Sequence, residues 1–376
     1  MRIGIDARIL DFGYTGIGRY LRNLLDELPK VDTENEYFLF TNSNDYINSD
    51  FYTVVNYRKN SLPRVIYSQI YSFFDLPKLL KEYKIDLLFA ANFLIPHRGM
   101  KKIKSVSVIY DLLPWILKES GSFIFRVFMK VSVPFTVKRV NKIITISHHS
   151  KKDIIKLLKV PGEKIDVLYC TPAKSILQER YKNNTLSESL KEQLPEKYLL
   201  YVGRIEARKN ILTILKILDL LKQKGSDLKL VLVGAKGNGF EKIQREIALR
   251  DKTVLYLTKL DDKILSAIYK KAFAFIFPSF YEGFGFTPLE AMTLGLPVLT
   301  SNTSSLPEVV GDAGIMHSPN DSQSFAESIM RLENDEELYD QMKAKSLVQS
   351  DKFQINEITK ELVNIFNELN LNDTSR

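Results

Sequence analysis

Glu282 and Glu290, separated by seven residues in Phe277-Pro-Ser-Phe-Tyr-Glu-Gly-Phe-Gly-Phe-Thr-Pro-Leu-Glu290, are the carboxylates whose setting most suggests chemistry. The segment follows an apolar strand pattern and runs into an apolar helical one, Leu289 to Leu294. Bare backbone at Gly283 and Gly285, just ahead of that helix, lets free N–H groups and the positive end of the helix dipole approach a diphosphate. Gly285, Phe286 and Thr287 are therefore candidate contacts for a phosphorylated ligand. Thr287 fits an N-cap, Pro288 the first helical position, and Glu290 the closing member of a Thr-x-x-Glu capping box. Glu290 thus has two readings, a cap or an acceptor of hydrogen bonds from ribose or sugar hydroxyls. Glu282 reads either as such an acceptor or as an exposed loop acid.

A second constellation is Tyr198-Leu-Leu-Tyr-Val-Gly203-Arg-Ile-Glu-Ala-Arg-Lys209-Asn210, a strand entering a basic turn and then a helical pattern, Ile211 to Leu221. Arg204 and Lys209 stand after the C-terminal end of a strand, where open α/β sheets bind ligands. Two such cations could neutralise a leaving nucleoside diphosphate without a metal, or form an ordinary solvated basic turn. Near the N-terminus, Ile3 to Ala7 precedes Tyr14-Thr-Gly16-Ile-Gly18-Arg19-Tyr20 and a helical pattern. Gly16 and Gly18 could close over a phosphate. The third glycine and the acidic ribose ligand of a dinucleotide fingerprint are missing, which argues against an NAD enzyme.

The elements that must position these residues alternate between short apolar runs and longer helical patterns in both halves, the form taken by successive βαβ units. Strands are predicted at Ile3 to Ala7, Tyr37 to Thr41, Asp86 to Ala90, Ser105 to Tyr110, Lys142 to Ile146 and Ile165 to Leu168 in the first half. In the second they are predicted at Tyr198 to Gly203, Lys229 to Gly234, Val254 to Leu257, Ala274 to Pro278 and Pro297 to Thr300. The polar stretch Gln178 to Lys197, with breakers at Asn183-Asn184 and Pro195, places a boundary between domains 1–185 and 186–352. Helical spacing over 353–371 predicts a last helix that packs back on the first domain.

Bulk properties exclude several classes. With 376 residues, 45% hydrophobic and 26% charged, the chain supports two cores. One cysteine, Cys170, excludes an internal disulfide, and four histidines without zinc-ligand spacing leave no predicted metal site. His148 and His149 read as surface or cap residues. The N-terminus lacks a secretory pattern, so a cytoplasmic location is expected. No apolar run is long enough to span a bilayer, because Arg126 and Lys130 interrupt Ser122 to Thr136. Residues 1–190 carry a net charge of about +10 and the rest about −2. This basic half, with Trp115, Ile116, Phe123, Phe125, Phe128 and Met129 interleaved, could rest on an anionic membrane or be a solvated face beside core residues. Nucleic acid is not an expected partner, since no binding module accompanies the charge.

Gly203-Arg-Ile-Glu-Ala-Arg-Lys209-Asn210, Pro278 through Met292 and Ser305-Leu-Pro-Glu308-Val-Val-Gly311-Asp-Ala-Gly314 together resemble the retaining glycosyltransferases of family four. Asp6-Ala-Arg8 and Thr15-Gly-Ile-Gly18-Arg-Tyr match that family's opening. The resemblance implies a GT-B architecture, two Rossmann-like α/β domains facing a cleft, with the donor on the C-terminal domain and the acceptor on the N-terminal one. It also implies metal-independent transfer with retention and no cofactor beyond the nucleotide-sugar donor. Arg204 and Lys209 would bind the donor diphosphate, Glu282 the transferred sugar and Glu290 the ribose. Gly203, Gly285, Phe286 and Thr287 would lie around the donor, and Gly16 and Gly18 near its distal phosphate. The family's His-Asp motif reads Tyr110-Asp111 here, so Tyr110 could hydrogen-bond the sugar and Asp111 orient the acceptor. Family analogy suggests mannose from GDP-mannose and a lipid-linked or polysaccharide acceptor in surface-glycan assembly. A UDP-sugar donor, a sugar-nucleotide 2-epimerase and a non-catalytic sugar-nucleotide-binding subunit are the alternatives.

Overall fold

The computed structural model describes residues 1–12, 16–57, 64–96, 98–100, 102–117, 121–182 and 188–374. Tyr14 and Thr15 of the glycine loop and the breakers Asn183-Asn184 lie outside them. The chain divides into two compact units, Met1–Cys170 with Gln354–Arg376, and Thr171–Phe353.

Among the described residues, the first unit holds a seven-stranded parallel sheet. Its strands are β1 (Arg2–Asp6), β2 (Glu36–Phe40), β3 (Tyr52–Val55), β4 (Leu87–Ala90), β5 (Lys104–Val108), β6 (Lys142–Thr145) and β7 (Ile165–Val167), ordered 3-2-1-4-5-6-7. The second unit holds a six-stranded parallel sheet of β8 (Tyr198–Val202), β9 (Lys229–Val233), β10 (Val254–Leu257), β11 (Ala274–Phe277), β12 (Val298–Ser301) and β13 (Gly314–His317). Its order, 10-9-8-11-12-13, repeats the first six positions of the other sheet. Both are Rossmann-like, and most of their inner strands are near-continuous apolar runs because helices cover both faces, β5 with its buried Ser105 and Ser107 being an exception. All five residues of β8 are buried, and Leu199 and Leu200 pair with Ala274 and Phe275 of β11.

Two strands have no counterpart in the predicted set, β3 and β13. Both are short edge strands; β13 is only half-buried and starts on a glycine, so neither produces a long apolar run.

The unit boundary falls after Cys170, ahead of the predicted one. The reason is that the helix Lys174–Glu179 is docked on the second unit. There Ser175 Oγ donates to Asp262 at 2.6 Å, Lys270 donates to the carbonyls of Glu179 and Lys182, and Arg180 pairs with Asp351. The last helix, Ile355–Thr374, belongs to the first unit. It lies against the helix Gly16–Val31, with the Phe366 ring 5.4 Å from that of Phe89. No helix among the described residues is long and apolar enough to cross a membrane.

Where β8 and β9 end, the backbones nearly touch. Gly203 and Gly234 have φ of +152° and +153°, and a Cβ on Gly234 would lie 1.9 Å from the Gly203 carbonyl oxygen. Gly234→Ala should therefore destabilise the second unit by about 2–3 kcal/mol. Gly225→Ala, at φ +86° with nothing within 4 Å, should cost about 1 kcal/mol, the backbone penalty alone. Thermal melts of the two variants beside the parent check the ranking.

Candidate active site

In each sheet the strand order reverses direction between its first and fourth strands, and in the second unit these are β8 and β11. Ligands of open α/β sheets bind outside the C-terminal ends of strands at such a switch point. The loops that follow β8 and β11 carry Arg204 with Lys209, and Glu282 with Glu290, so the topology brings together residues that are more than seventy positions apart in sequence.

After β8 the chain turns at Gly203, and Ile205 plugs into the core. A short 3-10 turn, Ala207–Lys209, then leads to Asn210. Asn210 is left-handed, with φ +59°, a conformation that asparagine tolerates better than most residues. Its amide donates to the carbonyls of Pro278 at 3.1 Å and Pro319 at 2.6 Å, clamping the β8 loop to the β11 loop. The helix Ile211–Gln223 starts directly behind it.

Glu282 closes the same gap from the other side. It is 8% exposed, and Lys209 Nζ donates to both of its carboxylate oxygens, at 2.7 and 2.8 Å. Ser279 Oγ donates at 2.5 Å and Arg208 Nη1 stands 3.0 Å away. Burial pushes the Glu282 carboxyl up, but Lys209 and Arg208 outweigh it and hold the group below its ordinary value. Burial likewise pulls the Lys209 ammonium down, opposed by Glu282. The loop backbone is pinned in turn, because Glu282 N–H donates to Ser304 Oγ and Ser305 Oγ donates to the Glu282 carbonyl, each at 2.9 Å. Arg208 also pairs with Glu206 at 2.8 Å. Arg204 is exposed and has no ion-pair partner among the described residues, which makes it the available cation at this strand end.

The capping box is not formed. Gly285, at φ +137°, is the N-cap and the helix runs Phe286–Thr293, so Thr287 and Pro288 lie inside its first turn. Glycine lets the chain enter the helix earlier than Thr287 would, and no side chain caps the start. Glu290 is 1% exposed and within reach of the Tyr269 hydroxyl, at 3.4 Å, so the capping reading gives way to a buried acid behind the loop.

Two family models match the chain: Glycosyltransferase Family 4 over residues 14–171 and Glycosyl transferases group 1 over residues 182–347. O-antigen chain mannosyltransferase B of Escherichia coli is 31% identical over 295 residues, covering 76% of this chain and 75% of that protein. The chain is a family 4 glycosyltransferase. O-antigen chain mannosyltransferase RfbU of Salmonella typhimurium is 28% identical over 85% of this glycosyltransferase and 87% of its own length. The solved structure of Anabaena Alr3699/HepE in complex with UDP and glucose superposes with a TM-score of 0.72 at 18% identity, over 98% of this chain and all of that one. That likeness identifies the fold as GT-B.

In the first domain of the glycosyltransferase, Gly16 opens the helix Gly16–Val31 and Gly18 is buried in its first turn. The family-like Asp6-Ala-Arg8 forms a buried ion pair, with Arg8 donating twice to Asp6 at 2.8 Å and stacking over Tyr71, and Asn92 donating to the same carboxylate at 3.1 Å. Tyr110 sits in the segment that follows β5. It is buried, its hydroxyl donates to the Ala91 carbonyl at 2.9 Å, and its ring meets Tyr20 edge to face. Asp111 accepts the Leu113 N–H at 3.0 Å, at the start of the short helix Leu113–Ile116.

Sequence reasoning missed Arg208, Asn210, Ser279, Ser304 and Ser305 as parts of the site. Only the seryl and arginyl neighbours of the motifs hinted at them, and apart from Ser279, three residues from Glu282, their contacts across the site join segments more than twenty positions apart.

Removing Lys209 leaves Glu282 buried with less compensating charge. Lys209→Met should lower the stability of the second domain by about 3 kcal/mol near neutral pH. A depressed carboxyl stabilises fully above its unfolded pKa, and that stability is lost as pH falls through the folded value. The variant raises the folded value and so narrows that window, and its melting temperature should fall less on acidification than the parent's, the gap between the two closing as pH drops. Melting temperature against pH, measured from neutral into the acid range, checks this.

Proposed function

We propose that this glycosyltransferase moves a mannosyl group from GDP-mannose to a growing surface polysaccharide, acting in the cytoplasm and retaining the anomeric configuration. The observation that carries the reading is the cluster at the switch point, where Arg204, Lys209, Glu282, Glu290 and an uncapped helix start converge on the ends of β8 and β11. The chain's likeness to the O-antigen mannosyltransferases supports the choice of sugar and acceptor.

In this reading the diphosphate lies between Arg204 and the helix start at Phe286 and Thr287, whose N–H groups have no carbonyl of their own helix to bind. Lys209 uses two N–H donors on Glu282 and keeps a third for a phosphate oxygen. Glu282 and Glu290 accept from the sugar and ribose hydroxyls. An acceptor hydroxyl oxygen bonds to the anomeric carbon as the bond to the diphosphate oxygen breaks on the same face. The acceptor's proton passes to that departing oxygen, so no side-chain base is needed and the protein supplies positioning and charge. The cations meet the developing diphosphate charge without a metal.

A UDP-sugar donor is the second reading, favoured by the UDP complex of the Anabaena structure. A thermal-shift panel of GDP, UDP, ADP and their sugar conjugates separates the two, since a ligand that binds only the folded state raises its apparent stability. GDP and GDP-mannose should stabilise the protein; a response to UDP compounds alone reverses the donor assignment, and no response to any nucleotide removes the donor site. Arg204→Ala should weaken diphosphate affinity about tenfold to a hundredfold and leave the ligand-free melting temperature unchanged, because its guanidinium is solvent-exposed. Mannosyl transfer measured in excess chelator should match the untreated rate; a loss restored by a divalent cation overturns the metal-free part of the reading.

A further inference from the structure

The loop after β9, Gly234-Ala-Lys-Gly237-Asn-Gly239, lies along the turn that carries Arg204, Arg208 and Lys209. Ile205 N–H donates to the Ala235 carbonyl at 2.9 Å, Gly237 N–H to the Ile205 carbonyl at 3.0 Å and Ala207 N–H to the Asn238 carbonyl at 3.0 Å. The two segments are so close that a Cβ on Gly237 would lie 2.7 Å from that of Glu206. Within this loop stands the chain's single Asn-Gly pair, Asn238-Gly239. Both residues are exposed, in the turn that leads into the helix Phe240–Ala248. Gly239 is the N-cap of that helix at φ +77°, and its N–H makes no hydrogen bond among the described residues. Asn210 is the contrast, because it is buried, its amide donates to two carbonyls and a β-branched isoleucine follows it.

We propose that Asn238 is a site of spontaneous deamidation, a modification that recasts the strap laid along Arg204, Arg208 and Lys209. The Gly239 backbone nitrogen bonds to the Asn238 side-chain carbonyl carbon and gives up its proton. The bond from that carbon to the side-chain nitrogen breaks, and the nitrogen leaves with a proton as ammonia. A succinimide ring remains, and water opens it at either carbonyl carbon. The net change consumes water and releases ammonia, with no oxidant, reductant or cofactor. Glycine permits the ring because a following Cβ would crowd the attack. No hydrogen bond has to break to free its N–H, and exposure admits the water. Opening at the side-chain carbon gives aspartate. Opening at the backbone carbon gives isoaspartate, in which the carbonyl that accepts from Ala207 becomes a free carboxylate and the main chain runs through the side chain. Either product sets a new anion on the strap, where it competes with a diphosphate for the cations of the adjoining turn. That loss of nucleotide affinity rests on the donor reading; the chemical change does not.

The test is to hold the full chain in warm, mildly alkaline buffer and map its peptides by mass spectrometry at intervals, with isoaspartate counted by enzymatic methylation. Asn238 should convert to a mixture of aspartate and isoaspartate ahead of every other asparagine, and faster as pH rises. Asn238→Gln should resist, since its longer side chain closes a larger ring. On ageing, the parent should lose its GDP-induced thermal shift in step with conversion at Asn238, while the aged Asn238→Gln variant keeps its own. An unconverted Asn238, or one no faster than Asn42 and Asn48, which precede serines, overturns the proposal. Conversion with an undiminished GDP shift overturns its link to the β8 loop. If the fresh parent gives no shift with any nucleotide, the donor reading fails, and the peptide map still decides the modification.

Discussion

A single buried carboxylate ties together the strand ends of the second domain. Glu282 arrives on the loop after β11 and meets Lys209 and Arg208 from the loop after β8, with Ser279 completing its contacts. A carboxylate at this depth is unfavourable unless charge and hydrogen bonds replace its lost hydration. Two cations and a hydroxyl do so, and the two strand ends are thereby tied across the switch point. Asn210 repeats the tie through the backbone, by donating to Pro278 and Pro319. The distance between the loops is thus set by charge in one place and by amide hydrogen bonds in another.

That pairing also shapes what remains for a ligand. Arg208 is committed to Glu206 and Glu282, and Lys209 to Glu282, while Arg204 stays exposed at the strand end. The helix start behaves in the same way. A threonine cap would have occupied the first N–H groups of the helix, and Gly285 has no side chain to do so. In the proposed reading, the glycine at φ +137° keeps those donors for the diphosphate.

The first domain shows how a polar motif residue is fitted into a core. Tyr110 donates its hydroxyl to the Ala91 carbonyl and packs its ring on Tyr20. A buried phenol needs a partner, and the nearest backbone carbonyl supplies one. The helix Phe123–Arg139, between β5 and β6, is the converse case, with Phe123, Ile124, Val127 and Val131 exposed where solvent would ordinarily select polar residues.

The sequence by itself determined the two parallel-sheet domains, since buried strands such as Tyr198–Val202 and Lys229–Val233 must be continuous apolar runs. It also determined the stretches that carry the site, since glycines, cations and carboxylates at strand ends are local patterns. Edge strands β3 and β13 escaped it because half-covered strands need no such runs. Only the tertiary structure decided that Lys209 spends its charge on Glu282, that Gly285 and not Thr287 starts the helix, that Tyr110 turns inward, and which side of Phe123–Arg139 faces out. Each of these depends on what a distant segment places beside the residue, and electrostatic and packing partners seventy positions away leave no mark on local spacing.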